Sequence, residues 1–192
     1  MKITERKILA KAKGELESVS IASERADGTQ LITTDIIWSY GDSVAVLPYG
    51  AQRRCVLTLR QIRAAPFIRA GESIREACAG AIEPTDTSIE TAVRREAREE
   101  LGCTLAALEK VGEVYINPAR LCERAHLFLA PFTALGMAAT VQQQDEVENI
   151  EVLPLSFTQL YQELQQGKMR CPRLLMLAQA LFLKYPETMH KG

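Results

Sequence analysis

The stretch RREAREELG, residues 94–102, places three glutamates and three arginines in nine positions and ends at a glycine. Its first eight residues end the segment 87–101, which has the strongest helix pattern in the chain. Thr87 and Glu90, three residues apart, predict a capping box at the start of this helix, and Gly102 predicts its C-terminal stop. A helical wheel then shows on which side of this helix the acidic side chains lie.

On that wheel, Glu96, Glu99 and Glu100 fall within about a quarter to a third of the circumference. Apolar residues lie on or beside the same stripe, whereas the arginines point elsewhere: Ile89, Ala92, Val93 and Ala97 against Arg94, Arg95 and Arg98. Carboxylates on the side that packs inward repel one another and lose hydration. The alternative is an ordinary solvated helix, stabilised by Glu–Arg pairs four residues apart.

A divalent cation would resolve the conflict on the inward side of the helix. Oxygen ligands without a nearby thiolate or imidazole favour Mg²⁺ or Mn²⁺ over zinc. Mg²⁺ bound by a few carboxylates usually shares itself with phosphate oxygens, where it neutralises charge and activates water. The pattern therefore indicates phosphoryl transfer or hydrolysis.

The composition narrows the possible classes of protein. A formal net charge of -1 disfavours a nucleic-acid or membrane-surface partner, and no apolar run is long enough to cross a bilayer. Five widely spread cysteines form no C-x-x-C pair, and the first residues lack the apolar core of a signal peptide. We therefore expect a cytoplasmic protein without disulfides or structural zinc.

The rest of the chain alternates between strand and helix patterns. Residues 1–40 have β character around a hairpin signal at Asp27-Gly28, and further strands are predicted at SVAVLPYG, RCVLTLRQI, VGEVYI, AHLFLAPF and IEVLPL. The stretch RAAPFIRAGESIREACAG is predicted as an irregular loop before a short strand. Two helices close the chain, one capped by Ser156 and Gln159 and one beginning at Pro172. This order predicts an α/β or α+β layered fold.

The stretch REAREELGC resembles the end of the Nudix box, G-x5-E-x7-R-E-U-x-E-E-x-G-U, where U is a bulky apolar residue. Strict spacing puts Ala81 and Thr87 at the glycine and glutamate of its first half. One inserted residue would put Gly80 and Asp86 there instead, and EACAGAIE favours this insertion. Four flanking segments also resemble the ADP-ribose and nucleoside-diphosphate-sugar pyrophosphatases of this family: RCVLTLRQIR, INPARLCERAHLFLA, DEVENIEVLPL and GKMRCPRLLMLAQAL. In the last of these, CPRL replaces the usual D-x-K-T.

The resemblance implies roles for individual residues. Metal ligands would be Glu96 and Glu100, with Glu99 as a third or water-mediated ligand and a catalytic group, and the backbone carbonyl of Ala79. Substrate-binding residues would be Arg63, Arg60, Glu76 and Glu123, each of which also fits a structural ion pair. The base that activates water would be Glu148 or Glu146, in an acidic segment that also resembles a plain surface loop.

The implied fold is an α/β/α sandwich with a mixed sheet, formed by residues 41–192. Residues 1–40 would form a small antiparallel β region that is exchanged across a homodimer. The implied activity is Mg²⁺-dependent hydrolysis of the diphosphate bond of ADP-ribose or a related ADP- or GDP-linked sugar, with Mn²⁺ as a possible substitute. The alternatives are hydrolysis of another diphosphate, such as a dinucleotide or coenzyme, and non-catalytic sensing of a nucleotide sugar.

Overall fold

The computed structural model describes residues 1–135 and 150–188, with the backbone alone at 133–135. It contains eleven strands within this part of the chain, listed here in order: β1 Lys2–Lys11, β2 Glu15–Glu24, β3 Gln30–Ser39, β4 Ser43–Gly50, β5 Cys55–Gln61, β6 Ile74–Glu76, β7 Cys78–Ala81, β8 Cys103–Leu105, β9 Glu109–Tyr115, β10 Arg124–Leu135 and β11 Glu151–Ser156. The helices are α1 Ala64–Ala70, α2 Ile89–Leu101, α3 Phe157–Gln165 and α4 Pro172–Lys184, followed by a short 3-10 helix, Pro186–Thr188.

The first three strands form an antiparallel sheet in the order β1-β2-β3. The predicted hairpin at Asp27-Gly28 is confirmed, since Gly28 has a φ of 82° in the turn between β2 and β3. An Asx-type bond from the Thr29 N–H to the Asp27 carboxylate, 2.9 Å long, closes this turn. On the middle strand β2, Glu17 is an almost fully buried carboxylate that pairs with Arg6.

A second sheet of eight strands runs β11-β5-β4-β10-β8, with β6 on β5, β7 on β4 and β9 on β10. Strands β4 and β5 are its centre and are buried along most of their length, which explains their nearly continuous apolar sequences. β7 pairs antiparallel with β4, so that Ala79 and Gly80 face Ala45 and Val44. This pairing fixes the backbone that borders the candidate site.

Helix α2 covers one face of this sheet. Its buried side chains, Ala92, Val93, Ala97 and Leu101, join a core that includes Val44, Val46, Leu57 and Leu59. Ala45 and Leu47 alternate to the opposite face of β4, which α4 contacts. The sheet is therefore packed between helices.

The structure tests four sequence predictions of helix ends. The N-cap of α2 is Ser88, whose hydroxyl accepts the Thr91 N–H, and not Thr87. Because the helix begins one residue later than expected, the predicted Thr87–Glu90 capping box was wrong. The stop at Gly102 is confirmed by its left-handed φ of 59°. Both the capping box of Ser156 with Gln159 on α3 and the first-turn proline of α4 are also confirmed.

The predicted loop within residues 63–80 was also wrong, because it contains the helix α1 and the strand β6. Gly71, with a φ of 65°, ends α1, and its N–H donates to the Phe67 carbonyl at 2.7 Å. Helix α1 buries none of its own residues, so no apolar periodicity announced it.

The chain divides into two compact units, one of Met1–Asp42 with Val114–Ala125 and one of Ser43–Glu113 with the described residues from His126 onward. Residues 114–125 thus belong with the N-terminal sheet, through a bridge between Trp38 and Leu121. The domain boundary between residues 40 and 41 stays a prediction. All five cysteines, each in the described part, are free thiols. Within the described residues, no helix is long and apolar enough to cross a membrane.

Candidate functional site

The acidic residues of α2 are positioned by the packing of that helix. Glu96 lies on the same side as Ala92, Val93 and Ala97 and is only 8% exposed. The inward placement that the wheel indicates for Glu96 is therefore confirmed. Glu99 and Glu100 follow on the same side and are half-buried.

Glu100 lies against β7. One of its carboxylate oxygens, Oε2, accepts the Ala79 N–H at 3.0 Å. Burial raises the pKa of Glu100 to about 8, although hydrogen bonds from the Cys78 thiol and the Ala79 N–H and the charge of Arg63 oppose the rise. The carboxyl group is thus held in a place where its charge is poorly solvated.

Glu96 lies against the next residue of the same strand. A Cβ at Gly80 would overlap the Glu96 carboxyl group, so only glycine permits this approach. Burial raises the pKa of Glu96, and the nearby Arg95 opposes that rise. Because Glu96 and Glu100 contact the neighbouring residues Gly80 and Ala79, their carboxyl groups converge on one short stretch of backbone.

Arg95 links this pair to the surrounding residues. Its Nη1 donates to Glu96 Oε1 at 2.7 Å and to Glu99 Oε2 at 3.0 Å. Its Nη2 donates to the Ala81 carbonyl at 3.0 Å. On a helical wheel Arg95 points away from the apolar stripe, but its long side chain folds back along the helix to these carboxylates.

Asp86 fastens Arg95 from the other side. Its carboxylate accepts from Nε at 3.1 Å and from Nη2 at 2.9 Å, and its side chain is only 3% exposed. Hydrogen bonding to Arg95 lowers the pKa of Asp86. Asp86 and Gly80, the residues that the one-residue insertion puts at the box positions, thus contact Arg95 and Glu96 directly, whereas the Thr87 hydroxyl lies 3.1 Å from that of Thr91.

The predicted substrate residues Arg63 and Glu76 form a pair beside these carboxyl groups. Arg63 donates to Glu76 from Nε at 3.2 Å and from Nη2 at 3.1 Å. Glu76 lies opposite Leu59 on β5, a residue of the core beneath α2, so its side chain is on the same face of the sheet. The charge of Arg63 also reaches Glu100.

The other predicted residues are placed differently. Arg60 pairs with Glu151 across β5 and β11, at 3.3 Å between Nη1 and Oε2, with both side chains substantially exposed. Glu123 is half-buried in the unit that contains the N-terminal sheet. The two candidates for the catalytic base, Glu146 and Glu148, lie outside the described residues.

Cys78 is a contributor that sequence reasoning missed. The Cys78 thiol donates to Glu100, and burial raises the pKa of Cys78 well above its usual range. The available signal was its position next to Ala79-Gly80, the segment that resembles the start of the box. A thiol is a weak donor, so it supports a carboxylate without neutralising it.

The acidic side chains near Ala79-Gly80 supply the oxygen donors that a divalent cation such as Mg²⁺ prefers. Among residues 1–135 and 150–188, no three acidic, histidine or cysteine side chains already form a complete metal site. Arg95 instead holds Glu96 and Glu99 by their carboxylates. Two converging carboxyl groups with raised pKa values are nevertheless oxygen donors that a cation would stabilise in the ionised form, so Glu96 and Glu100 fit Mg²⁺ or Mn²⁺.

Comparisons with known proteins place the chain in a family. The family model described as NUDIX domain matches residues 39–170. A protein of Cronobacter sakazakii named GDP-mannose pyrophosphatase is 31% identical, over 93% of this chain and 93% of its own. A protein of Escherichia coli O139:H28 with the same name is 29% identical, over 96% of this chain and 93% of its own.

One solved structure, titled a crystal structure of ADP compounds hydrolase, matches with a TM-score of 0.73 and 15% identity, over 97% of this chain and 94% of that one. At this identity the match shows the fold, and it confirms the predicted α/β architecture with a mixed sheet and a small N-terminal antiparallel region.

The predicted enzyme class, a Nudix pyrophosphohydrolase, is also confirmed by the matches. Nudix hydrolases generally use a divalent metal ion. The segment that resembles the Nudix box packs against Ala79-Gly80, and the family model matches residues 39–170. The chain belongs to the Nudix family.

Proposed function

We propose that the protein hydrolyses the diphosphate bond of a nucleoside-diphosphate sugar in the presence of Mg²⁺, with GDP-mannose as the first substrate to test and ADP-ribose as the second. The observation that carries this proposal is the convergence of Glu96 and Glu100 on Ala79-Gly80. The two relatives described above are of about this length and are named GDP-mannose pyrophosphatase. These names support a nucleotide sugar as the substrate and favour guanine as its base.

Glu96 and Glu100 would hold the metal ion, with Glu99 as a further ligand once it leaves Arg95, and the Ala79 carbonyl as a backbone ligand. When bound, Mg²⁺ supplies charge neutralisation at the phosphate oxygens and lowers the pKa of water. Mn²⁺ has the same preference for oxygen and could replace it. Asp86 and Arg95 would keep the carboxylates in position, as supporting groups do around many metal sites.

Arg63 is the group best placed to bind the diphosphate. A guanidinium gives forked donors to phosphate oxygens, and this one lies beside Glu100. Its present bonds to Glu76 hold the fork in one orientation. Arg60 and Glu123 stay proposed contacts of the substrate.

In the hydrolysis, the oxygen of a water molecule forms a bond to one phosphorus, and the bond from that phosphorus to the bridging oxygen breaks. Glu148, or Glu146, takes the proton from the attacking water. The bridging oxygen leaves with the second phosphoryl group. The products are a nucleoside monophosphate and a sugar phosphate.

We also propose that the protein is a homodimer that acts in the cytoplasm. Both outer strands of the N-terminal sheet carry exposed apolar residues, which a second copy would cover: Ile3 at 57%, Ile8 at 45%, Ile32 at 57% and Ile36 at 49%. Light scattering after size-exclusion chromatography tests the dimer. A monomer of 21.3 kDa at micromolar concentration would contradict it.

The direct test of function is release of inorganic phosphate, through a coupled phosphatase, from GDP-mannose, ADP-ribose, a dinucleotide and a coenzyme diphosphate. Each is measured with Mg²⁺ and with EDTA. The expected result is Mg²⁺-dependent release that is fastest with a nucleotide sugar. Faster release from the dinucleotide or coenzyme would reassign the substrate, and tight binding without release would make the protein a sensor.

A further inference from the structure

Three apolar side chains close to Arg63, the arginine assigned to the diphosphate, are exposed: one directly before it and two on helix α1. Ile62 is 75% exposed, Phe67 59% and Ile68 83%. Three of the four exposed large apolar residues in the described part of the main-sheet unit therefore lie within seven positions of one another, the fourth being Leu183. A concentration of this kind marks a surface that contacts something apolar.

The backbone ties this surface to the carboxyl cluster. The Phe67 N–H donates to the Arg63 carbonyl at 3.1 Å, so that Phe67 stands one helical turn beyond Arg63. One turn advances the chain by about 5.4 Å. Arg63 in turn bonds Glu76, and its charge acts on Glu100. Along the backbone, Phe67 is therefore one helical turn from the residue whose charge acts on Glu100.

We infer that Phe67 stacks on the nucleobase of the substrate whose diphosphate lies between Arg63 and the α2 carboxylates. This inference rests on the proposed function. In a nucleoside-diphosphate sugar the ribose separates the base from the diphosphate, and one helical turn is a separation of the same order. The base is the part of such a substrate with a π-face, and aromatic side chains stack on it, whereas the sugar presents mainly hydroxyl groups.

The flanking isoleucines have a lesser role. Ile68 neighbours Phe67 on the helix, but it has no aromatic face and thus cannot stack on the base. Ile62 precedes Arg63 at the end of the strand segment. Ile68 is therefore a matched control: an apolar residue on the same helix, even more exposed than Phe67, whose truncation removes no aromatic ring.

The experiment compares wild type, Phe67→Ala, Phe67→Tyr and Ile68→Ala in steady-state hydrolysis of GDP-mannose with Mg²⁺. Phe67→Ala is expected to raise KM by about 5- to 100-fold with kcat within about twofold, since that range corresponds to the loss of one base–aromatic stack. Phe67→Tyr is expected to keep the wild-type KM, and Ile68→Ala to change it by less than about twofold.

A second readout does not depend on turnover. Calorimetric titration with GMP is expected to show the same loss of affinity in Phe67→Ala, whereas mannose 1-phosphate should bind wild type and Phe67→Ala equally. Unchanged KM and unchanged GMP affinity in Phe67→Ala, with active wild type, would overturn the stacking inference alone. So would a Phe67→Ala protein that changes only its oligomeric state, since α1 would then contact a second copy. If wild type neither hydrolyses nor binds any nucleotide sugar, the proposed function fails, and the stacking inference fails with it.

Discussion

Asp86 and Arg95 form a two-point ion pair, with Nε donating to Oδ1 at 3.1 Å and Nη2 donating to Oδ2 at 2.9 Å. The same guanidinium reaches Glu96 and Glu99 through Nη1. Asp86 is itself fixed by the Glu83 N–H, which donates to its Oδ2 at 2.9 Å. A short side chain in the turn before α2 thus sets the orientation of the arginine that holds the acidic cluster.

The first prediction concerns this pair. Asp86→Asn removes the charge that anchors Arg95, so the carboxylates lose their fixed orientation. We expect the Mg²⁺ concentration for half-maximal activity to rise, or kcat to fall, by about 10- to 100-fold. Glu83→Gln is the control, because Glu83 lies 3.8 Å from Arg95 with its side chain 54% exposed. Equal effects of the two substitutions would mean that Asp86 has no special role.

The second prediction concerns Gly80. Gly80→Ala places a methyl group where the Glu96 carboxyl group lies, so Glu96 has to move. We expect loss of most Mg²⁺-dependent activity and a decrease of about 1–3 kcal/mol in the free energy of unfolding, measured with urea. Gly112→Ala is the matched control on β9, because nothing lies within 4 Å of its added Cβ. A fully active Gly80→Ala protein would show that Glu96 is not required in this position.

The third prediction concerns the catalytic base. Glu148→Gln keeps the size of the side chain but cannot accept the proton of water, so kcat should fall by at least about 100-fold. KM should stay nearly unchanged, because the base does not hold the substrate. If Glu146→Gln has this effect and Glu148→Gln does not, the base is Glu146.

The fourth prediction concerns stability at low pH. Hydrogen bonding from Arg6, assisted by the Ser39 hydroxyl at 2.9 Å, lowers the pKa of Glu17 to about 2. Since the pKa is lower in the folded chain than its ordinary value of 4.5, the stabilisation is present above pH 4.5 and is lost as the pH falls toward 2. Glu17→Gln should therefore be less stable than wild type at pH 7, with the difference shrinking over that range in urea unfolding monitored by circular dichroism. A difference independent of pH would contradict the ionic role of Glu17.

The sequence predicts α2 and its acidic side well because the packing of that helix and its acidic pattern coincide. Ala92, Val93 and Ala97 have to face the sheet, and their spacing carries Glu96 inward with them. The sequence also predicts a hairpin or a helix cap correctly where one short-range interaction determines it, as at Asp27-Gly28 and at Ser156 with Gln159. In these places local chemistry and the global fold agree.

The other features of the site and fold depend on contacts that a local sequence pattern does not predict. The contacts of Arg95 with Glu96 and Glu99 are absent from a helical wheel, because a wheel records where a Cβ points and not how a long side chain folds back. The role of Cys78 requires β7 to pair with β4 beneath α2, a long-range arrangement. Helix α1 was missed because it has no buried side chain to give it an apolar stripe.

Metal binding by Glu100→Gln compared with wild type is the most direct measurement of the central claim, that the α2 carboxylates bind a divalent cation. Mn²⁺ can be titrated into each protein and the free ion followed by electron paramagnetic resonance, with GDP present to supply phosphate oxygens. Wild type should bind Mn²⁺ in competition with Mg²⁺, and Glu100→Gln should bind it at least about tenfold more weakly. Equal Mn²⁺ affinity in the two proteins would contradict the assignment of Glu100 as a metal ligand.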